Sequence, residues 1–247
     1  VVHVPTAVAT LGVIYSLPMV KELHLTGPLL ADIFLGKVKT WNDPAIAKEN
    51  SGVDLPKLPI HVVHRADSSG STAIFTDYLT KVSPDWKATG TGLVVAWRTG
   101  DGVKGSDGMA DEVGKTQGSI GYLEQSIAQK RGLKAALIKN RAGELVAPTV
   151  TGGTQAADWA QVPKDLRVSL TDSDTEGAYP LSAFTYLIFD PSKLSAAKLA
   201  GLLKFVSWAT HDGQKAALEL NYSPLPVGAV KVIDAHLQEL AAQKPSK

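Results

Sequence analysis

Apolar positions along the chain switch repeatedly between short runs and a spacing near 3.6 residues, and this alternation predicts an α/β protein with helices on the faces of a sheet. The strand-like stretches are Ala7 to Tyr15, Pro59 to His64, Leu93 to Trp97, Ser119 to Leu123, Leu133 to Ile138 and Ala183 to Phe189. Helical spacing covers Pro28 to Leu35, Pro44 to Lys48, Thr72 to Val82, Asp107 to Lys115, Glu124 to Lys130, Ser195 to Ala209, Gly213 to Leu220 and Val227 to Gln243. Leu199, Leu202, Leu203 and Val206 form one amphipathic stripe, and Val230, Ile233, Leu237 and Leu240 form another. Both stripes call for a sheet or a second helix beneath them. No internal repeat or low-complexity tract interrupts the pattern, and only Lys244 to Lys247 reads as a frayed end.

The junction between the second strand and its helix carries the most chemistry. There the run Arg65-Ala66-Asp67-Ser68-Ser69-Gly70-Ser71 falls where strand spacing gives way to the helical positions Ile74, Phe75, Tyr78, Leu79 and Val82. A helix start leaves its first N–H groups without intrahelical partners and carries partial positive charge. Small hydroxyl residues and a glycine at that place can wrap a tetrahedral anion. Arg65, fixed at the strand end, adds a planar charged fork. A helix cap at Ser69 or Ser71 is the structural alternative to an anion site. Asp67 reads as the partner of Arg65 or as a proton acceptor for a bound ligand.

Composition narrows the classes. The chain has 247 residues, 44% of them hydrophobic, enough for one large domain or two lobes. A net charge of +1 gives no general field for nucleic acid or an acidic membrane, so an anion must be held locally. There is no cysteine, which excludes disulfides, thiolate nucleophiles and sulfur-ligated zinc. No apolar run is long enough to span a bilayer. Val1 does not open a signal peptide, so a secreted form would already have shed its signal.

Other motifs are weaker. Gly100-Asp101-Gly102-Val103-Lys104-Gly105 satisfies G-x-G-x-x-G after a strand, with Glu124 near the distance of a ribose-binding acid. The following helix begins only at Ser106-Asp107 and no second nucleotide-binding half follows, so the stretch reads as a flexible glycine loop ending in a cap. His61 and His64 lie an odd number of positions apart on one strand and therefore on opposite faces, a poor metal pair. The other histidines, His3, His24, His211 and His236, are scattered. Ser68-Ser69-Gly70 lacks the G-x-S-x-G elbow of a hydrolase. The tryptophans at 41, 86, 97, 159 and 208 read as packing residues.

The stretch Leu29 to Ala47, then His64 to Ser71, Trp97 to Gly108, Gly118 to Tyr122 and Tyr179 to Ser182 resemble the phosphate-binding proteins of bacterial phosphate ABC transporters. The resemblance extends over essentially the whole chain. It implies a two-lobed periplasmic-binding-protein fold of type II, with residues 9–182 as the second lobe and 1–8 with 183–247 as the remainder of the first. It also implies phosphate contacts at Arg65, Asp67, Ser69, Gly70 and Ser71, the last standing where the family usually has threonine. Serine keeps the hydroxyl and loses a methyl.

By the same resemblance the protein delivers inorganic phosphate to a membrane permease, works in the periplasm or tethered to the cell envelope, and is not an enzyme. Family members carry further phosphate-binding loops and a proton-accepting aspartate ahead of the segment that matches Val1. The expectation is therefore that the first lobe is incomplete, its other part lying in a separate N-terminal segment or chain. The helices after Ser195 would then have almost no sheet to cover. A secreted phosphatase-like enzyme and a non-transport scaffold of the same fold are the alternatives.

Overall fold

In the computed structural model, which describes residues 1–158 and 162–242, strands and helices alternate as the spacing predicts. The strands are β1 (Val2–Tyr15), β2 (His24–Thr26), β3 (His61–Arg65), β4 (Asp101–Val103), β5 (Ser119–Glu124), β6 (Lys134–Ala135), β7 (Leu137–Lys139), β8 (Leu145–Val146) and β9 (Ser182–Phe189). The helices are α1 (Gly27–Phe34), α2 (Pro44–Glu49), α3 (Gly70–Val82), α4 (Gly105–Lys115), α5 (Gln125–Lys130), α6 (Val150–Ala157), α7 (Ala196–Thr210), α8 (Gln214–Glu219) and α9 (Val227–Ala242). Trp159 and Lys244 to Lys247 lie outside the described residues.

The main sheet has the order β4-β3-β5-β1-β6, and β9 also pairs with β1. β3 runs parallel to both β4 and β5, whereas β1 is antiparallel to β5. The C-terminal ends of β3, β4 and β5 therefore reach the same edge, and each is followed within a few residues by a helix start. Open α/β sheets bind ligands at such an edge.

One strand serves two cores. The half of β1 from Leu11 to Tyr15 pairs with β5, while Val2 to Thr10 pairs with β9. Around the first half gathers a large core that includes Ile14, Phe34, Trp41, Phe75, Tyr78 and Tyr122. Around the second gathers a smaller one, with Val4, Val8, Leu170, Phe184, Val206, Ile233 and Leu237. The late helices were expected to find almost no sheet, and what lies beneath them is the two-stranded β1–β9 ribbon. Val206 of α7 and Ile233, Leu237 and Leu240 of α9 are buried on the β1–β9 ribbon together with Leu166 and Leu170. Ile188, Leu218, Leu220 and Val227 stay exposed, as does the other side of α7, where Phe205 and Trp208 stack at 5.9 Å and each is 51% exposed.

Two further expectations change. Leu93 to Trp97 forms no strand, because Leu93 and Val94 stand in solvent while Trp97 turns in to stack on His64 at 4.8 Å. The glycine stretch is not a flexible loop, since Asp101 to Val103 pair with Val63 to Arg65 as β4. Gly100 makes the turn into β4 at φ +97, where a Cβ would strike the Val62 carbonyl.

Candidate functional site

β3 is cut off at Arg65 by the loop Ala66 to Ser68, and α3 begins at Gly70. Ser69 is the N-cap: its extended backbone and its Oγ, which accepts the Thr72 N–H at 3.3 Å, start the helix. The Ser69 N–H donates to the Leu93 carbonyl at 3.0 Å, tying the loop to the irregular segment that was expected to be a strand. The cap and the anion site predicted for this junction are compatible. An Oγ that accepts from Thr72 still has its own proton to give.

The N–H groups of Gly70 and Ser71 find no acceptor among the described residues. A Cβ at Gly70 would meet nothing within 4 Å, so the first residue of α3 is open on its side-chain face. They sit on a helix of 13 residues whose dipole adds positive potential at this end.

Arg65 is held rigidly. Its Nε and Nη2 donate to the two oxygens of Asp67 at 2.7 and 2.6 Å, and its side chain is only 10% exposed. This fork leaves the remaining guanidinium N–H groups without a partner among the described residues. The Arg65 hydrogen bonds, then the Gly105 N–H at 3.2 Å, hold the Asp67 carboxyl far below the usual carboxylate range. Asp67 is therefore an orienting anion for Arg65. Pairing with Arg65 is one of the two roles that the sequence allows it.

Tyr122 fixes the floor. Its phenol accepts the Arg65 N–H at 3.1 Å and lies 2.7 Å from Thr72 Oγ1, joining the end of β3 to the first turn of α3. Burial pushes this phenol above its ordinary value, against the hydrogen bond from Thr72. The ring stacks on Phe75 at 4.4 Å.

The structure brings Arg65, Asp67, Ser69, Gly70 and Ser71 to one spot, and adds three residues. Gly105, at the start of α4, supports Asp67 through its N–H. Glu124, at the end of β5, accepts from Ser71 Oγ at 2.9 Å and from Ser106 Oγ at 3.3 Å. Their signal was the parallel order β4-β3-β5, which sends Val103 and Glu124 to the same edge as Arg65.

The histidines stay apart. His61 faces Asp101 and Glu112, while His64 stacks on Trp97. Among the described residues no cluster of three or more His, Cys, Asp or Glu could hold a metal ion. A positive fork beside unpaired amides and the Ser69 hydroxyl is suited to a compact oxyanion.

Comparison with known proteins bears on the family. Residues 1–212 match the PBP superfamily domain. The chain is 42% identical over 219 residues to the phosphate-binding protein PstS of Xylella fastidiosa, covering 87% of this chain and 60% of that one. It is 38% identical over 237 residues to the phosphate-binding protein PstS of Haemophilus influenzae, covering 94% and 71%. The chain thus spans about three fifths of the first relative's length. The fold matches a high affinity periplasmic phosphate-binding protein, PfluDING, solved with phosphate, at a TM-score of 0.72 and 21% identity, covering 95% and 70%. Sequence and architecture together place this chain in the PBP superfamily, type II fold, as a member of the family of PstS phosphate-binding proteins.

Proposed function

We propose that the chain binds inorganic phosphate at the β3–α3 junction and hands it to the permease of a phosphate ABC transporter. The observation that carries this reading is Arg65, clamped by Asp67 beside the unpaired N–H groups of Gly70 and Ser71. Stripping water from a multiply charged anion is costly unless aimed donors replace it, and each charge-assisted hydrogen bond returns roughly 1.5–3 kcal/mol. A preset fork and fixed amides provide such donors without reorganisation. Phosphate is the ligand named for the relatives at 42% and 38% identity.

In this reading Arg65, Ser69, Gly70 and Ser71 touch the ligand and Asp67 orients Arg65. Residues 9–182 act as the second lobe, and 1–8 with 183–247 belong to the first. Closure of a facing lobe over the anion completes its coordination. Contacts made only in the closed form let phosphate shift the open–closed balance that a permease senses. Work in the periplasm or at the cell envelope fits that task, and no helix among the described residues is long and apolar enough to cross a membrane. Binding without turnover is favoured because His64, the nearest histidine in sequence, is stacked on Trp97 and not poised on a serine.

Isothermal titration of the full-length protein with phosphate tests the reading, with phosphomonoester turnover measured in parallel. Tight phosphate binding, lost in Arg65→Ala and without turnover, is the expected result. No phosphate binding, or an Arg65→Ala variant that binds as the parent does, would overturn it.

A further inference from the structure

The phosphate site contains a second carboxylate whose contacts give it a task that Asp67 cannot perform. Glu124 ends β5 and accepts two hydroxyl protons, from Ser71 Oγ at 2.9 Å and Ser106 Oγ at 3.3 Å. An ionised carboxylate only accepts, and a serine hydroxyl has a single proton. The Ser71 proton is therefore directed at Glu124, and the hydroxyl can offer other neighbours only its lone pairs. Ser71 is buried, its side chain fixed in the second position of α3 beside its own unpaired N–H. A bound tetrahedral anion at this corner thus meets an amide that donates and a hydroxyl that accepts.

Resting on the phosphate-binding reading, we propose that Glu124 is a specificity-determining positioning residue. By holding the Ser71 proton, it turns that hydroxyl into an acceptor for a ligand O–H. Phosphate near neutral pH still carries one or two protons and can supply the bond. Sulfate carries none, and would face a lone pair with a negative charge behind it. Asp67, by contrast, is committed to holding Arg65, its two oxygens accepting from that guanidinium and from the Gly105 N–H.

The test is a double-mutant cycle on the full-length protein, with the ratio of phosphate to sulfate affinity as its readout. Glu124→Ala frees the Ser71 proton to donate, and should lower that ratio at least about tenfold, the worth of one charge-assisted hydrogen bond. In a Ser71→Ala background the same substitution should change the ratio far less, because its effect passes through that hydroxyl. Glu124→Met, which fills a similar volume without an acceptor, should behave like the alanine variant and guards against a folding defect. Parent protein that binds phosphate, with an unchanged ratio in both Glu124 variants, would overturn the inference alone. Equal effects with and without Ser71 would do the same. Parent protein that binds no phosphate would overturn the underlying reading as well.

Discussion

The two ends of α3 carry similar side chains and opposite histories of satisfaction. At its C-terminal end Lys81 Nζ donates to Ser169 Oγ at 2.7 Å, the Thr171 carbonyl at 2.9 Å and Thr171 Oγ1 at 2.7 Å. Asp77, one turn earlier, accepts from the same two hydroxyls and pairs with Lys81 at 3.2 Å. This polar cluster is consumed by its own chain, and it fastens α3, which packs on the larger core, to the segment of Leu166 and Leu170 in the smaller one. At the N-terminal end Arg65 uses only part of its fork, and the amides of Gly70 and Ser71 use none of their capacity. Charge alone does not distinguish a ligand site from a brace. Unspent, converging donors do.

Substitutions at the two ends should separate binding from stability. The largest effect is expected from Arg65→Ala, which removes several charge-assisted bonds and should weaken phosphate binding by on the order of a hundredfold or more, read by titration calorimetry. Arg65→Lys should fail to restore it, because an ammonium cannot grip both Asp67 oxygens and still present a planar face. Lys81→Met should do the reverse. It costs about 1–2 kcal/mol in urea unfolding, discounted for partial exposure, and changes phosphate affinity by less than about twofold. A loss of binding in Lys81→Met equal to that in Arg65→Ala would erase the contrast.

A smaller effect, mixed in kind, is expected at Ser69, which belongs to both roles. Ser69→Ala removes the cap and should cost about 1 kcal/mol of stability, with a several-fold loss in phosphate affinity. Ser69→Asp keeps an acceptor for the Thr72 N–H and places a negative charge in the site. Thermal melts should then show the stability retained while titration shows phosphate excluded.

The smallest effect concerns pH. Burial by itself would raise the Asp77 carboxyl, but hydrogen bonds from Ser169 and Thr171 and the charge of Lys81 outweigh it and lower the group below its ordinary 3.8. The linked stabilisation is complete above that ordinary value and drains away as pH falls through the lower folded one. In urea melts, the advantage of the parent over Asp77→Asn should hold at neutral pH and shrink only in acid below about pH 4.

Local chemistry made the candidate site legible, and sheet order hid the rest of it. Arg65 through Ser71 are contiguous, so the change from strand to helix spacing exposes them directly. Gly105, Ser106 and Glu124 join them only because β4 and β5 flank β3, a relation that no local spacing encodes. The misreading of Leu93 to Trp97 has a related cause. An apolar run resembles a strand, yet Trp97 is drawn onto His64 and Tyr122, and the segment forms no strand ladder, its Leu93 carbonyl accepting from the Ser69 N–H of the neighbouring loop.

Short elements escaped as well. β2 and β8 have three and two residues, too few to show alternation. α6 is written Val-Thr-Gly-Gly-Thr-Gln-Ala-Ala, poor in helix formers. Tertiary packing supplies the reason for its glycines, since a Cβ at Gly153 would run into Ser223. The late helices were placed correctly in sequence, and the sheet they cover is the β1–β9 ribbon alone. A single strand, β1, is long enough at 14 residues to serve both cores.

The most direct test of the central claim, that unpaired amides at the start of α3 receive the anion, is a backbone amide NMR titration of the protein with inorganic phosphate. The account predicts the largest shifts at the Gly70 and Ser71 N–H groups and a changed Arg65 guanidinium signal, with Ser169 and Thr171 nearly still. Shifts concentrated at Ser169 to Asp172, with Gly70 and Ser71 unmoved under saturating phosphate, would contradict it.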